Sequence, residues 1–238
     1  MSVMQWDGVA NVRDVGGLPL TGNRLTASGV VIRSAALDQL TARGREQLLA
    51  LQPSRIIDLR SEHELSQRSP VADLAAFRHL PFVDPTRDGE RDPSTERTRF
   101  DLYRGSLHRN GRHVARIWTE IAEADGPVIV HCRSGVDRTG MLIALLLSVA
   151  GVEAPAIAED YAVQYGGDAN LSDSSASPRD PQRSAWAGTK PGAQTMLDIL
   201  GWIDANFGST ADYLAAHGVT SAQIETIRHR LTEPTATR

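Results

Sequence analysis

The chain has 238 residues, of which 41% are hydrophobic and 23% charged, and its formal net charge is -4 with an isoelectric point near 6.0. This length is sufficient to bury a sizeable core, and we expect a single domain covering residues 1–238. The acidic balance leaves no general basic surface, which argues against nucleic acid or an anionic membrane as partners.

Cysteine content and hydropathy bear on the compartment. Cys132 is the single cysteine and cannot form an internal disulfide, so folding does not depend on an oxidising compartment. Residues 1–7 lack the basic region and the long apolar stretch of a signal peptide, and the apolar run 141–152 is too short to span a bilayer. We expect a cytoplasmic protein with no integral membrane association, and leave open export without a signal peptide.

The predicted elements alternate along the chain. Short apolar runs predict strands at 30–33, 55–59 and 127–130, and 79–83 is a further candidate in which Pro81 favours an edge position. Helical spacing and start signals predict helices at 41–51, 108–124, 193–206, 211–216 and 224–231, and helices that begin near 141 and 155. This alternation favours an α/β fold with a mostly parallel central sheet flanked by helices.

Two segments without regular periodicity are candidate lids. Residues 84–99 are dense in charge, Pro and Gly, and residues 166–192 are rich in Ser, Asp, Pro and Gly and contain Trp186. Long loops in a compact domain are usually either functional or disordered. Solvated surface loops are the alternative, although Trp186 favours packing against the rim of a site.

The most informative stretch is the segment 131–140, HCRSGVDRTG. An apolar run precedes it and a longer one, 141–147, follows it, which predicts a strand, a tight loop and a helix, with the site at the carboxyl end of the strand. Five residues separate Cys132 from Arg138. This spacing suits a thiolate that attacks phosphorus while the planar guanidinium clamps the phosphoryl oxygens.

The physical chemistry of such a loop favours an anion. Backbone N–H groups of a curled loop at a helix N-terminus form an anion site, and the same positive field stabilises a thiolate. Gly135 lets the backbone curl, and the Thr139 hydroxyl is close enough in sequence to hydrogen-bond the departing sulfur. A buried, inert cysteine at a strand end is the alternative. The predicted phosphate-binding residues are Arg133, Ser134, Gly135, Val136 and Thr139, beside the catalytic Arg138.

The loop resembles the signature of cysteine-dependent phosphatases. Its ending, 137–140, is similar to that of the bacterial tyrosine/serine protein phosphatase family, which is related to lipid phosphatases. Further similar stretches cover most of the chain: 11–18 (NVRDVGGL), 31–37 (VIRSAAL), 56–64 (IIDLRSEHE) and parts of 213–231. The resemblance implies a cysteine-phosphatase-like fold and hydrolysis of phosphomonoesters through a phosphocysteine intermediate, with no cofactor.

The general acid is a separate question. A phosphoester leaving group needs a proton, which a carboxylic acid within hydrogen-bond reach can supply. The resemblance points to Asp137, immediately before the signature arginine. The alternative is that Asp137 only braces the loop by pairing with Arg13, Arg133 or another cation. The other candidate acids are Asp58, Asp84 and Asp88.

Neighbouring residues are candidate accessories. His131 can shape the loop through a hydrogen bond to the backbone, and Asp58 closes a buried strand beside it. Arg60 either pairs with Glu64 four residues on or lies at the phosphate site, and Arg133 points equally well to substrate or to solvent. The seven histidines are scattered without a Cys/His cluster, so no metal is expected.

One departure from the resembled family bears on substrate. Members that act on phosphoinositides often carry a lysine just before the loop aspartate, where this chain has Val136. Phosphotyrosine in a phosphoprotein or phosphopeptide is therefore the first expectation, with phosphoserine, phosphothreonine and a singly phosphorylated phospholipid headgroup behind it. Two rival classes remain. The ending 137–139 counts against a rhodanese-like sulfurtransferase, and the presence of both Cys132 and Arg138 counts against a catalytically silent phosphate-binding module.

Overall fold

The computed structural model describes residues 3–65, 69–163 and 192–233, which form an α/β fold around a mixed sheet. The strands are β1 (Arg13–Asp14), β2 (Val31–Ser34), β3 (Arg55–Asp58), β4 (Phe77–His79) and β5 (Val128–His131). Their order across the sheet is β1-β2-β5-β3-β4. The neighbours from β2 to β4 run parallel, whereas β1 pairs antiparallel with β2 at one edge.

Helices flank this sheet and confirm the predicted fold class. They are α1 (Ala42–Leu49), α2 (Arg99–Ala122), α3 (Asp137–Ala150), α4 (Ala154–Val163), α5 (Ala193–Phe207), α6 (Thr210–Ala216) and α7 (Ser221–Thr232). Within the described ranges, no helix is long and apolar enough to cross a membrane. Trp186 and the candidate lid 166–192, apart from its last residue, lie outside the described residues.

The central strand β5 is buried on both faces. Because side chains alternate along a strand, Val128 and Val130 join an apolar layer with α2, α3, α5, α6 and α7, whereas Ile129 joins the opposite layer with Trp6 and Leu48. Helices on both sides therefore fix β5 firmly. The loop that follows the carboxyl end of β5 therefore begins at the centre of the sheet, between the two apolar layers.

The helix that follows this loop is apolar all round because other helices cover it. The buried residues of α3 run without a break from 139 to 147. Gly140 contacts α4 so closely that a Cβ atom there would lie 2.8 Å from Cε2 of Tyr161. The absence of a side chain at this glycine therefore brings α4 against the first turn of α3.

The start of α2 and the extent of β4 differ from the predictions. Helix α2 begins at Arg99 rather than at 108, because Thr98 and Asp101 form a reciprocal cap: Asp101 N donates to Thr98 Oγ1 at 3.1 Å and Thr98 N donates to Asp101 Oδ2 at 3.0 Å. Strand β4 ends at His79, so the strand predicted at 79–83 was wrong in extent. Pro81 lacks the N–H that a continued ladder needs.

The first candidate lid is fastened to α2. Asp84 N donates to Asn110 Oδ1 at 2.7 Å, and Arg87 donates to the carbonyl oxygen of Arg109. Glu96 is buried and forms an ion pair with Arg109. In this structure the segment from Asp84 to Glu96 is thus packed against the helix rather than free in solvent.

Candidate active site

The thiol lies at the base of the loop between β5 and α3. Cys132 is only 2% exposed and follows the last residue of the central strand. Asp137 and Arg138 form the first turn of α3, where the helix has unpaired N–H groups and its dipole is positive. The structure therefore brings Cys132 and Arg138 to the two ends of one curled loop, as their spacing predicted.

The carbonyl groups of the loop are turned away from its interior. Arg133 O accepts a hydrogen bond from Ala36 N at 2.9 Å, and Ser134 O accepts one from Asn11 Nδ2 at 3.1 Å. Gly135 O accepts from Arg33 Nη2 at 2.9 Å. No cis peptide bond occurs in the described residues, and in a trans peptide the N–H points opposite to the C=O. The N–H groups of residues 134–136 consequently face the other side of the loop, and N–H groups arranged in this way can bind an anion.

Gly135 is required by both conformation and space. Its φ is +70°, in the left-handed region that favours glycine. A Cβ atom would also lie 2.6 Å from the carbonyl carbon of Ser34 and 2.9 Å from Ala35 N, which are backbone atoms that cannot move independently. The loop can approach the end of β2 this closely only with glycine at this position.

Replacing Gly135 by alanine is expected to displace the loop and lower kcat/KM by roughly 10²-fold, because even a small misplacement of the reacting groups has an effect of that size. The measurement is steady-state hydrolysis of an aryl phosphate. Gly29→Ala is the matched control, since Gly29 also has a positive φ, of 77°, but has open space around its Cβ position. Equal kinetics for the two variants would contradict the proposed packing of the loop.

Arg138 is held by a carboxylate that the sequence did not assign to the site. Its Nη2 donates to Glu64 Oε1 at 2.7 Å and its Nη1 donates to Oε2. Burial alone would lower the pKa of Arg138, but Glu64 and the nearby Cys132 charge raise it. The helix-type pair of Arg60 with Glu64, one of the two alternatives for Arg60, is not among the ion pairs of the described residues, where Arg60 pairs with Asp38 and Asp58. The sequence feature that could have drawn attention to Glu64 is its position three residues after Ser61, which is typical of a capping box. In the structure, Ser61 N donates to Glu64 Oε2 at 2.9 Å.

Asp137 contacts two donors on α2. Arg99 Nη1 and the Tyr103 hydroxyl both donate to Asp137 Oδ1, and the side chain of Asp137 is 30% exposed. The Tyr103 hydroxyl also lies 2.6 Å from that of Tyr161 on α4. Burial, with the charge of Asp137, raises the pKa of both tyrosines, so they are neutral donors. Arg99 and Tyr103 were not predicted, because no motif or spacing links the start of α2 to this loop.

The candidate accessories form a buried ion-pair network below the loop. Asp58 accepts from Arg60 Nη2 at 2.8 Å, and the same guanidinium donates to Asp38 Oδ1 at 3.0 Å. Burial would raise the pKa of Asp58, but His131 and Arg60 together hold it below its ordinary value. Burial lowers the pKa of His131, whose Nδ1 lies 3.8 Å from Asp58 Oδ1. This carboxylate is thus committed to Arg60, and the arrangement supports the loop rather than supplying a proton.

Two candidate acids, Asp84 and Asp88, lie in the segment that packs against α2. Asp84 lies at the packed segment: it accepts from Thr86, which holds its pKa below the ordinary value, and its Oδ2 is 3.4 Å from His113 Nε2. Of Asp88 the structure describes only the backbone, which lies in a short 3-10 turn, Asp88–Glu90.

Thr139 is fully buried, and its hydroxyl has no hydrogen-bond partner among the described residues. In the loop between β5 and α3, Val136 is buried and Arg133 and Ser134 are half-buried.

The described residues, 3–65, 69–163 and 192–233, contain no cluster of three or more His, Cys, Asp or Glu side chains suited to a metal ion. Attack of sulfur on phosphorus is the chemistry of cysteine-dependent phosphatases, and the fold and the loop place the protein in that class.

The particular family follows from comparison with known sequences. The chain belongs to the tyrosine phosphatase family, whose model matches residues 4–233. It is 28% identical to the triple specificity protein phosphatase PtpB of Mycobacterium tuberculosis over an alignment that covers 96% of this chain and 98% of the relative. A tyrosine-protein phosphatase of Nostoc commune is 26% identical, with 84% and 73% covered. The protein is therefore a protein tyrosine phosphatase and a phosphoric monoester hydrolase, which confirms the predicted class.

Proposed function

We propose that the protein hydrolyses phosphomonoesters through a phosphocysteine intermediate on Cys132, with protein phosphotyrosine as the preferred substrate. One observation carries the proposal: the loop over Cys132 has its carbonyl groups turned outward and Arg138 at its other end. The phosphoryl oxygens bind to the N–H groups of residues 134–136 and to Arg138. The ester is thereby aligned with its leaving oxygen opposite the sulfur.

The reaction takes place in two displacements. The thiolate attacks phosphorus, the P–O ester bond breaks, and the leaving oxygen takes a proton from Asp137. Water then attacks the phosphocysteine and gives its proton to the Asp137 carboxylate, the S–P bond breaks, and inorganic phosphate and the thiolate are released. The Thr139 hydroxyl, buried beside the loop without a partner among the described residues, supports the leaving sulfur as a donor.

Asp137 is the acid that the geometry favours. Asp58 is committed to Arg60, whereas Asp137 is partly exposed at the mouth of the loop. Both α2 donors meet at Oδ1 of Asp137, so the transferable proton belongs on Oδ2. Arg99 and Tyr103 then orient the carboxyl group by fixing its other oxygen.

Replacing Asp137 by asparagine is expected to lower kcat strongly for alkyl and aryl phosphates with poor leaving groups, by roughly 10²–10⁴-fold, as for loss of a general acid. Good leaving groups need little protonation and should be affected less. The measurement is kcat across a series of leaving groups, together with the pH–rate profile, whose acid-dependent limb should flatten. An equal loss for every leaving group with that limb in place would make Asp137 a structural brace.

Substrate preference rests on the rim of the loop. Val136 takes the place where a lysine would offer a second positive charge, so the site favours a single phosphoryl group. The name of the Mycobacterium tuberculosis relative, a triple specificity protein phosphatase, supports a range wider than phosphotyrosine. We place phosphoserine, phosphothreonine and singly phosphorylated phospholipid headgroups second, and we keep a cytoplasmic location as part of the proposal.

A phosphate-release screen tests the proposed function. Phosphotyrosine, phosphoserine and phosphothreonine peptides and mono- and polyphosphorylated inositol lipids are compared by kcat/KM, and acid-quenched enzyme is analysed for phosphate on Cys132. We expect the highest value for phosphotyrosine peptides, the lowest for polyphosphorylated lipids, and a trapped phosphocysteine. A preference for polyphosphorylated lipids would contradict the assigned substrate, and cyanide-dependent sulfur transfer from thiosulfate without phosphate release would indicate a sulfurtransferase.

A further inference from the structure

The N-terminal segment passes directly behind the phosphate-binding loop. Asn11 has a φ of 58°, a left-handed conformation that few residues other than glycine adopt and that asparagine tolerates better than most. The preceding residue is anchored, because Ala10 O accepts a hydrogen bond from Ala35 N at 3.0 Å just beyond β2. Asn11 is thus held in an uncommon conformation against the loop.

The side chain of Asn11 binds two successive peptide groups of the loop. Its Nδ2 donates to Ser134 O at 3.1 Å and to Gly135 O at 3.2 Å. Both acceptors are carbonyl oxygens, so only the NH₂ group of the amide fits there. Arg33 adds a third donor at 2.9 Å on Gly135 O, and its fully buried guanidinium is fixed by Asp160 Oδ2 at 3.0 Å.

These contacts determine which face of each peptide group meets the anion. A loop peptide that rotated about its own axis would present its oxygen to the phosphoryl group, and two partial negative charges would then face each other. Donors behind Ser134 O and Gly135 O oppose that rotation and keep the N–H groups of Gly135 and Val136 directed inward. Preorganised donors of this kind contribute most to binding charge that develops in a transition state.

We propose that Asn11, assisted by Arg33, is a positioning residue for phosphoryl binding: it orients the 134–135 and 135–136 peptide groups so that their N–H groups bind the anion. This inference rests on the proposed function and deepens it. It gives a role to the asparagine of the N-terminal motif, which lies more than a hundred residues from the loop in sequence and does not contact the reacting atoms.

Two substitutions remove the donor without straining the backbone. Asn11→Gly keeps the left-handed conformation and loses the amide. Asn11→Asp also tolerates that conformation but places a carboxylate against two carbonyl oxygens. Asn23→Gly is the matched control, because Asn23 has nearly the same φ, 57°, in an exposed turn away from the loop.

The readouts are the Kd of orthovanadate, kcat/KM for an aryl phosphate, the unfolding temperature and the rate of alkylation of Cys132 by iodoacetamide. Since Cys132 is the single cysteine of the chain, alkylation reports on it alone. We expect vanadate binding and kcat/KM to weaken roughly tenfold in Asn11→Gly and further in Asn11→Asp. Alkylation should slow in the same order, because the loop N–H groups also stabilise the Cys132 thiolate, while the unfolding temperature of Asn11→Gly stays close to that of the wild type. Asn23→Gly should match the wild type throughout.

Wild-type vanadate affinity in folded Asn11→Gly would overturn the inference, and a lower unfolding temperature alone would assign Asn11 to stability. If Asn11→Gly does not fold, the vanadate Kd of Asn11→Asp is compared with that of the wild type. An unchanged Kd in Asn11→Asp would equally overturn the inference. Vanadate binding by the wild type without any turnover would contradict the proposed mechanism and leave the positioning role standing. No vanadate binding by the wild type would overturn both.

Discussion

Replacing Cys132 by serine is expected to abolish turnover, with kcat falling by at least roughly 10⁴-fold. Removing the nucleophile from a group of residues that act together causes losses of this order or more. A serine hydroxyl is a poor nucleophile without a general base. The neighbouring His131 is buried, which lowers its pKa, and its Nδ1 lies 3.4 Å from the Cys132 carbonyl oxygen and 3.8 Å from Asp58 Oδ1. Binding should survive, because the loop N–H groups and Arg138 are untouched. Turnover of a phosphotyrosine peptide and its Kd, measured calorimetrically, are the two readouts.

The expected pattern separates loss of chemistry from loss of structure. The variant should bind the phosphopeptide with an affinity close to the wild-type KM, unfold at a similar temperature, and yield no phosphoenzyme after acid quenching. Substantial residual hydrolysis would remove Cys132 from the nucleophile role. Loss of both binding and turnover, with an unchanged fold, would show that the thiolate itself holds the substrate.

Arg138→Lys is expected to lower kcat/KM by roughly 10²–10³-fold although it keeps the positive charge. The guanidinium carries five N–H groups, and the pair with Glu64 uses one on Nη1 and one on Nη2. The remaining N–H groups can hold two phosphoryl oxygens while Glu64 fixes the plane of the fork. A lysine ammonium is a compact charge without the planar fork, so it can pair well with either Glu64 or the phosphoryl group but not with both at once. Near-normal kinetics in Arg138→Lys would rule out bidentate clamping.

Glu64→Gln provides the companion measurement. Glutamine keeps the shape and one acceptor oxygen but loses the charge that orients Arg138, so we expect a smaller loss in kcat/KM than for Arg138→Lys, roughly tenfold. Glu62→Gln is the control, because Glu62 belongs to the same short turn, is exposed, and lies two residues away. If Glu64→Gln and Glu62→Gln have the same kinetics, Glu64 does not position Arg138.

The sequence was sufficient for the features that depend on neighbouring residues. An apolar strand, a short loop with glycine and a long apolar helix specify the β5–loop–α3 unit, because their conformations are set by local sterics and by burial of apolar side chains. The spacing of Cys132 and Arg138 therefore predicted the centre of the site. The same local patterns missed the start of α2, because Gly105 interrupts the helical spacing and Thr98 lies at the end of the segment 84–99, whose charge, Pro and Gly predict a loop.

Only the tertiary structure decided which distant side chains complete the site. Glu64 reaches Arg138 from the turn after β3, Arg99 reaches Asp137 from α2, and Asn11 reaches the loop from the N-terminal segment. None of these pairs is marked by sequence spacing, because each depends on the order of strands across the sheet and on how closely the helices pack. Composition and motif thus predict the class of reaction, the nucleophile Cys132 and the anion loop, whereas the geometry around Arg138, Asp137 and the loop peptides arises from contacts that exist only once the chain has folded.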